Sequence, residues 1–201
     1  MVEGFKQTDI GLIPNDWTLE PYTEIASLKH GFQFLEEHFS KIGIGVIKIG
    51  NLKDGAGLNL SDLTYIPYDN LKRFEKVKLK KGDVLMALTG ATLGKVCMVN
   101  TDMILLQNYR VGNFIPNEKT TREFIYQICQ SEIVQKVVKD LVNSGAQPNL
   151  GKKDFDKIFI PLPPTLTEQT AIANALNDAD ALINQLEQLL TKKRNIKTGA
   201  M

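Results

Sequence analysis

Apolar residues follow two different periods along the chain, and the change of period divides it. Up to the prolines Pro161, Pro163 and Pro164, short apolar runs alternate with clusters of Gly, Asn and Asp, the pattern of strands joined by turns. Strand-like runs occur at Gly45 to Ile49, Leu63 to Ile66, Val77 to Leu79, Asp83 to Leu88, Val96 to Val99, Ile104 to Leu106 and Val111 to Ile115. Ile13-Pro14-Asn15-Asp16-Trp17 predicts a turn into a strand at Thr18 to Leu19, with a short helix near Tyr22 to Ser27. Phe124, Ile128, Val134, Val138 and Leu141 then recur at helical spacing as far as Gly145, and a break near Ser131-Glu132 divides them into two helices. Thr120-x-x-Glu123 fits a capping box for the first of these, in which hydroxyl and carboxylate each satisfy an orphan backbone N–H. Short strands followed by helices predict an α+β domain.

Beyond the prolines the pattern becomes one long helix. Thr165-Leu166-Thr167-Glu168 is a second capping box, and Ile172, Leu176, Ala179, Ile183, Leu186 and Leu190 follow at spacings of 4, 3, 4, 3 and 4. That is a heptad seam, which asks for a partner helix. Ala175, Leu182 and Leu189 form a second apolar row that widens the face. Two packings satisfy the pattern: a partner helix along the seam, or an amphipathic helix folded back on its own domain. A helix of about 30 residues, ~45 Å at 1.5 Å per residue, is long for this domain to cover, which favours the partner. Lys192, Lys193, Arg194 and Lys197 gather at its C-terminal end, where cations suit the helix dipole.

Composition narrows the class without naming a function. At 201 residues, 43% hydrophobic and 23% charged, the chain has the make-up of a globular protein with a sizeable core. No uncharged stretch approaches the roughly 18 residues of a membrane-spanning helix, and Glu3, Lys6 and Asp9 interrupt the N-terminus where a signal peptide would be apolar. The cytoplasm is therefore the expected compartment, and Cys97 and Cys129, in apolar surroundings without CxxC spacing, are expected to be buried free thiols. A net charge of +1 is a weak footprint for nucleic-acid binding, although the distribution of charge matters more than its sum.

The sequence carries no recognisable catalytic or metal-binding motif. His30 and His38 lack metal-ligand spacing, no GxSxG elbow is present, and Gly90-Ala91-Thr92-Leu93-Gly94-Lys95 is too short for a phosphate loop. Glu-x-Lys of metal-dependent nucleases and the Asn/Asp-Pro-Pro-aromatic loop of amino-methyltransferases are both missing. The chain is read as non-catalytic alone, with no cofactor and no metal.

Pro161-Leu162-Pro163-Pro164, followed by Glu168-Gln169 and continuing through Ile172-Ala173, Leu176, Asp178-Ala179-Asp180 and Lys192-Lys193-Arg194, resembles the junction between target-recognition domain and spacer helix in the specificity subunits of type I restriction–modification enzymes. Ile13-Pro14-Asn15-Asp16-Trp17 is similar to that family's opening, and Lys81-Gly82-Asp83-Val84-Leu85-Met86 with Gly90 to Lys95 resembles its strand–turn unit. The resemblance implies a target-recognition domain over residues 1–164 and a spacer and dimerisation helix over 165–201 that pairs as an antiparallel coiled coil. It further implies double-stranded DNA, modification subunits and restriction subunits as partners. A complete family subunit carries two such units and these residues contain one, so two copies are expected to pair through Ile172, Leu176, Ala179, Ile183, Leu186 and Leu190 as a homodimer.

Three segments have the glycines, amides, hydroxyls and cations that DNA reading needs. They supply the expected contacts Thr89, Gly90, Thr92 and Lys95; Asn108 and Arg110; and Gln147, Asn149, Lys152 and Lys153. The basic run Lys72, Arg73, Lys76, Lys78, Lys80 and Lys81 alternates with Val77 and Leu79 and reads as a solvated strand face, with a phosphate track as the other reading. A protein-interaction adaptor that dimerises without binding DNA remains the alternative function.

Overall fold

A computed structural model describes residues 3–53, 57–144 and 148–199. Strands β1 (Phe5–Thr8) and β2 (Gly11–Pro14) form a hairpin, followed by β3 (Thr18–Pro21), β4 (Ala26–His30) and β5 (Ile44–Ile47). Next come β6 (Leu52–Lys53), β7 (Gly57–Leu58), β8 (Thr64–Ile66), β9 (Val84–Ala87), β10 (Val96–Met98), β11 (Leu105–Gln107) and β12 (Val111–Pro116). Helices α1 (Arg122–Gln130) and α2 (Glu132–Asn143), a single turn α3 (Lys152–Phe155), strand β13 (Phe159–Leu162) and the long α4 (Leu166–Gly199) complete the order. The expected mixture of strands and helices ending in one long helix is what the structure shows.

The central sheet runs β10-β9-β12-β4, all antiparallel. Beside it a smaller sheet, β11-β5-β8, pairs β11 parallel to β5. Every residue of β9 is buried, because apolar layers cover both of its faces. Val84 and Met86 join Phe114, Ile125, Cys129 and Val134 on the side of α1 and α2. Leu85 and Ala87 join Ile47, Leu105 and Val111 on the other. A third layer gathers Phe34, Ile44, Val46, Ile66, Phe74 and Leu106 against the small sheet.

Both cysteines are buried and neither is in a disulfide, as expected. Burial pushes the Cys129 thiol up to about 12 against the smaller opposing effect of its bond to Tyr22, and burial likewise raises the Tyr22 phenol. Asp83, from the Gly-Asp pair, is a structural carboxylate. It is buried, accepts the Lys80 N–H at 2.9 Å and Asn113 Nδ2 at 3.0 Å, and pairs with Arg122 from the first turn of α1. A buried carboxylate is tolerated because its lone pairs are filled.

Two expectations are corrected. Val77 to Leu79 is not a strand: Lys72–Val77 form 3-10 turns kinked at the buried Phe74, and only Lys78 makes an isolated bridge to Leu106. Burying one aromatic ring determines the local conformation there, and the alternation of lysines with Val77 and Leu79 does not. The basic run is consequently not a strand face. The cap of α1 is Thr121, one residue later than read, with Phe124 N–H donating to its Oγ1 at 3.2 Å. The break into two helices at Ser131 is present.

A candidate nucleic-acid interface

Asn108, Tyr109 and Arg110 connect β11 to β12, and hydrogen bonds to three neighbouring segments hold them in place. Asn108 N–H donates to Ile47 O at 3.1 Å, Tyr109 N–H to Phe32 O at 2.9 Å, and Leu88 N–H to Arg110 O at 2.9 Å. Gly31 permits this crossing, since a Cβ there would lie 2.2 Å from Gln107 O and 2.4 Å from Asn108 O. On the far side, Leu150 N–H donates to Leu88 O at 2.8 Å, and Thr89 bridges to Asn149. Segments distant in sequence thus converge on one rim.

They enclose a cleft of about 420 Å³ lined by His30, Leu88, Thr89, Tyr109, Arg110 and Asn149. An adjoining cleft of about 300 Å³ shares Tyr109 and Arg110 and adds Phe34, Phe39, Lys48 and Asn108. Among the described residues, neither lining contains a carboxylate. Lys48 is half-buried, with Nζ donating to Thr64 Oγ1 at 2.7 Å and lying 4.5 Å from the Phe39 ring centroid. Hydroxyl, amide, guanidinium and imidazole groups on a rim of fixed backbone are suited to contacting base edges and phosphates.

The residues singled out from the sequence divide accordingly. Thr89, Arg110 and Asn149 share the first cleft and Asn108 lines the second. Gly90, at φ +79°, starts the turn that leaves the rim, and the Thr92 hydroxyl is buried with no partner among the described residues. Lys95 enters β10, where its carbonyl accepts from Ala87 N–H at 3.0 Å; it lines neither cleft. Lys152 and Lys153 are exposed on α3, also outside both linings, and Gln147 lies outside the described residues. Gln107 is fully buried and donates to Lys29 O and Val111 O, a scaffold role. His30, Lys48, Phe34 and Phe39 were not singled out, and none sits in a polar, glycine-rich run that would have marked it.

Helix α4 forms the second surface. Its first turns dock on the domain: buried Gln169 donates to Lys119 O and Pro163 O and accepts from Thr121 N–H, Trp17 Nε1 donates to Glu168 at 3.0 Å, and Gln127 Nε2 donates to Asn177 Oδ1 at 2.8 Å. Thr165 Oγ1 accepts from Glu168 N–H at 3.1 Å, which supplies the hydroxyl half of the expected box. Ile172 packs partly on the core and Ala173 is buried. Past Asp180 the apolar positions are bare, with Leu182 56%, Ile183 53% and Leu186 50% exposed. Among the described residues, no helix is long and apolar enough to cross a membrane, and no group of three His, Cys, Asp or Glu could hold a metal ion.

Residues 14–197 match the family model of the type I restriction modification DNA specificity domain, and the chain belongs to that family. It is 30% identical to the specificity subunit of the type I restriction enzyme MjaVIII from Methanocaldococcus jannaschii, over 96% of this chain and 47% of that protein. In fold it is similar to the HsdS subunit from Thermoanaerobacter tengcongensis, with a TM-score of 0.63 at 18% identity over 93% of this chain and 43% of that one. A chain from a structure of complex assembly and conformational transition in a type I R-M system gives a TM-score of 0.69 at 16% identity, over 96% of this chain and 45% of that one. The chain spans about half the length of the curated relatives it matches.

Proposed function

We propose that this chain is the DNA-reading, non-catalytic part of a type I restriction–modification enzyme, acting in the cytoplasm with modification and restriction subunits. Residues 1–164 read one half-site through the rim at Thr89, Asn108, Arg110 and Asn149, and residues 165–201 pair with a second helix. The family match over residues 14–197 carries the reading. The convergence of three polar segments on clefts whose described linings hold no carboxylate supports it.

The pairing is antiparallel and, for two copies of this chain, two-fold. The front of α4 carries Glu168, Asp178 and Asp180, and its end carries Lys192, Lys193, Arg194 and Lys197. Antiparallel packing brings Glu168 at the front opposite Arg194 at the end, whereas parallel packing sets the basic ends of the two helices against each other. In one register Ile172 meets Leu190, Leu176 meets Leu186 and Ala179 meets Ile183, so all six seam residues are covered. A dimer built this way reads the same half-site twice, inverted.

The test is DNA binding by the chain assembled with its modification subunits, across a salt series. Sequence-selective binding whose affinity falls steeply with salt, through counterion release, is the expected result. An assembled complex with no sequence selectivity leaves the dimerisation adaptor as the function.

A further inference from the structure

Arg110 stands on the ridge between the two clefts and is held there from both ends. Its backbone N–H donates to Asn108 Oδ1 at 3.2 Å and its carbonyl accepts from Leu88 N–H at 2.9 Å. Its Nε–H donates to Tyr109 Oη at 2.7 Å, and the guanidinium carbon lies 5.3 Å from that ring's centroid. No ion pair engages it, and Nη1 and Nη2 have no partner among the described residues. The side chain is exposed. Tyr109 has therefore taken the one nitrogen on the flank of the guanidinium and left the two-pronged end open.

An open end of that kind is complementary to two adjacent acceptors. In the major groove only guanine presents such a pair, O6 beside N7; adenine offers N7 next to a donor, and cytosine and thymine offer one polar group each. A phosphate can also accept two such bonds, but it needs no fixed direction, and a long flexible lysine serves it as well. Here the guanidinium is steered by a hydroxyl and its backbone is fixed by two hydrogen bonds, which reduces the rotamer freedom lost on binding. Building on the DNA-recognition reading above, we infer that Arg110 reads a guanine in the major groove, with Tyr109 as its positioning residue, so that each half-site contains one obligatory G·C pair.

The experiment enriches bound duplexes from a randomised pool, using the chain assembled with its modification subunits. The wild-type complex is expected to enrich a site with an invariant guanine. Arg110→Ala should lose the preference at that position alone, keep it at the others, and bind the favoured duplex about 10- to 100-fold more weakly. Arg110→Lys should restore the preference only in part, because an ammonium can donate to O6 and N7 but lacks the fixed fork. Tyr109→Phe should blunt the preference partially. Arg110 and Tyr109 lie outside the core, and unchanged thermal unfolding of each variant separates reading from folding. A wild-type site without guanine, or an Arg110→Ala variant weakened equally on every sequence, overturns this assignment while leaving DNA recognition intact. A wild-type complex that enriches no sequence overturns both.

Discussion

Helix α1 and the second half of α4 are both amphipathic, yet only one of them is finished by its own fold. In α1 the residues Phe124, Ile125, Ile128 and Cys129 are buried between the central sheet and the neighbouring helices. In α4 the residues Leu182, Ile183, Leu186, Leu189 and Leu190 are at least half exposed. The same apolar spacing therefore serves two ends. A helix flanked by a sheet satisfies its pattern inside the chain, and a helix that outruns its domain leaves the pattern exposed.

The strongest way to break that comparison is to place charges on the bare seam. Ile183→Glu with Leu186→Glu should turn a dimer into a monomer by light scattering, since each buried apolar side chain contributes on the order of 1.5–3 kcal/mol and a dimer loses four of them. The unfolding midpoint of the monomer should hardly move. A dimer that survives the double change removes the seam from the interface.

A matched pair of alanine substitutions sharpens the contrast. Ile125→Ala in α1 should cost about 2–5 kcal/mol of stability in urea unfolding, through lost burial and a cavity. Leu186→Ala, measured at a concentration where the chain is monomeric, should stay within about 0.5 kcal/mol. Equal costs would mean that the end of α4 is covered within a single chain.

Gln169→Ala addresses the border between the two regions. Removing an amide with three backbone partners should cost about 1–3 kcal/mol and should speed hydrogen exchange in the first turns of α4, leaving α2 unchanged. Protection that does not change would move the hinge away from Gln169.

The last effect appears only in alkali and belongs to the closed region alone. The Cys129 thiol is raised from 9.0 to about 12 in the fold, so the native state favours the neutral form. Its contribution is complete below pH 9 and is lost as pH rises toward about 12. Denaturant midpoints should fall across that window, and Cys129→Ser should flatten the fall. Cys97 and Cys129 should both resist thiol reagents in the native state at neutral pH.

Periodic features were legible in the sequence, and coincidences in space were not. The break at Ser131, the long helix from Leu166 and the core strand Val84–Ala87 follow from spacing that involves only neighbouring residues. Val77 to Leu79 misled because a lysine alternation resembles a strand even where one ring, Phe74, determines the backbone. For the site, Thr89, Asn108, Arg110 and Asn149 were chosen as separate polar loops. That they share two adjoining clefts depends on the Thr89–Asn149 bridge and on the close passage at Gly31, long-range contacts with no local signature. His30 and Lys48 entered the site by the same route and had no composition to announce them.

The docked first turns of α4 also act as the mount of a lever. From Ala181 to Gly199 the helix reaches roughly 27 Å beyond its last anchors at 1.5 Å per residue, so a tilt of about 5° at the mount swings the tip by ~2 Å over that length. The bonds of Gln169, Trp17 and Asn177 therefore govern aim as much as attachment. Small repacking under the first turns would be magnified at the far end of the helix.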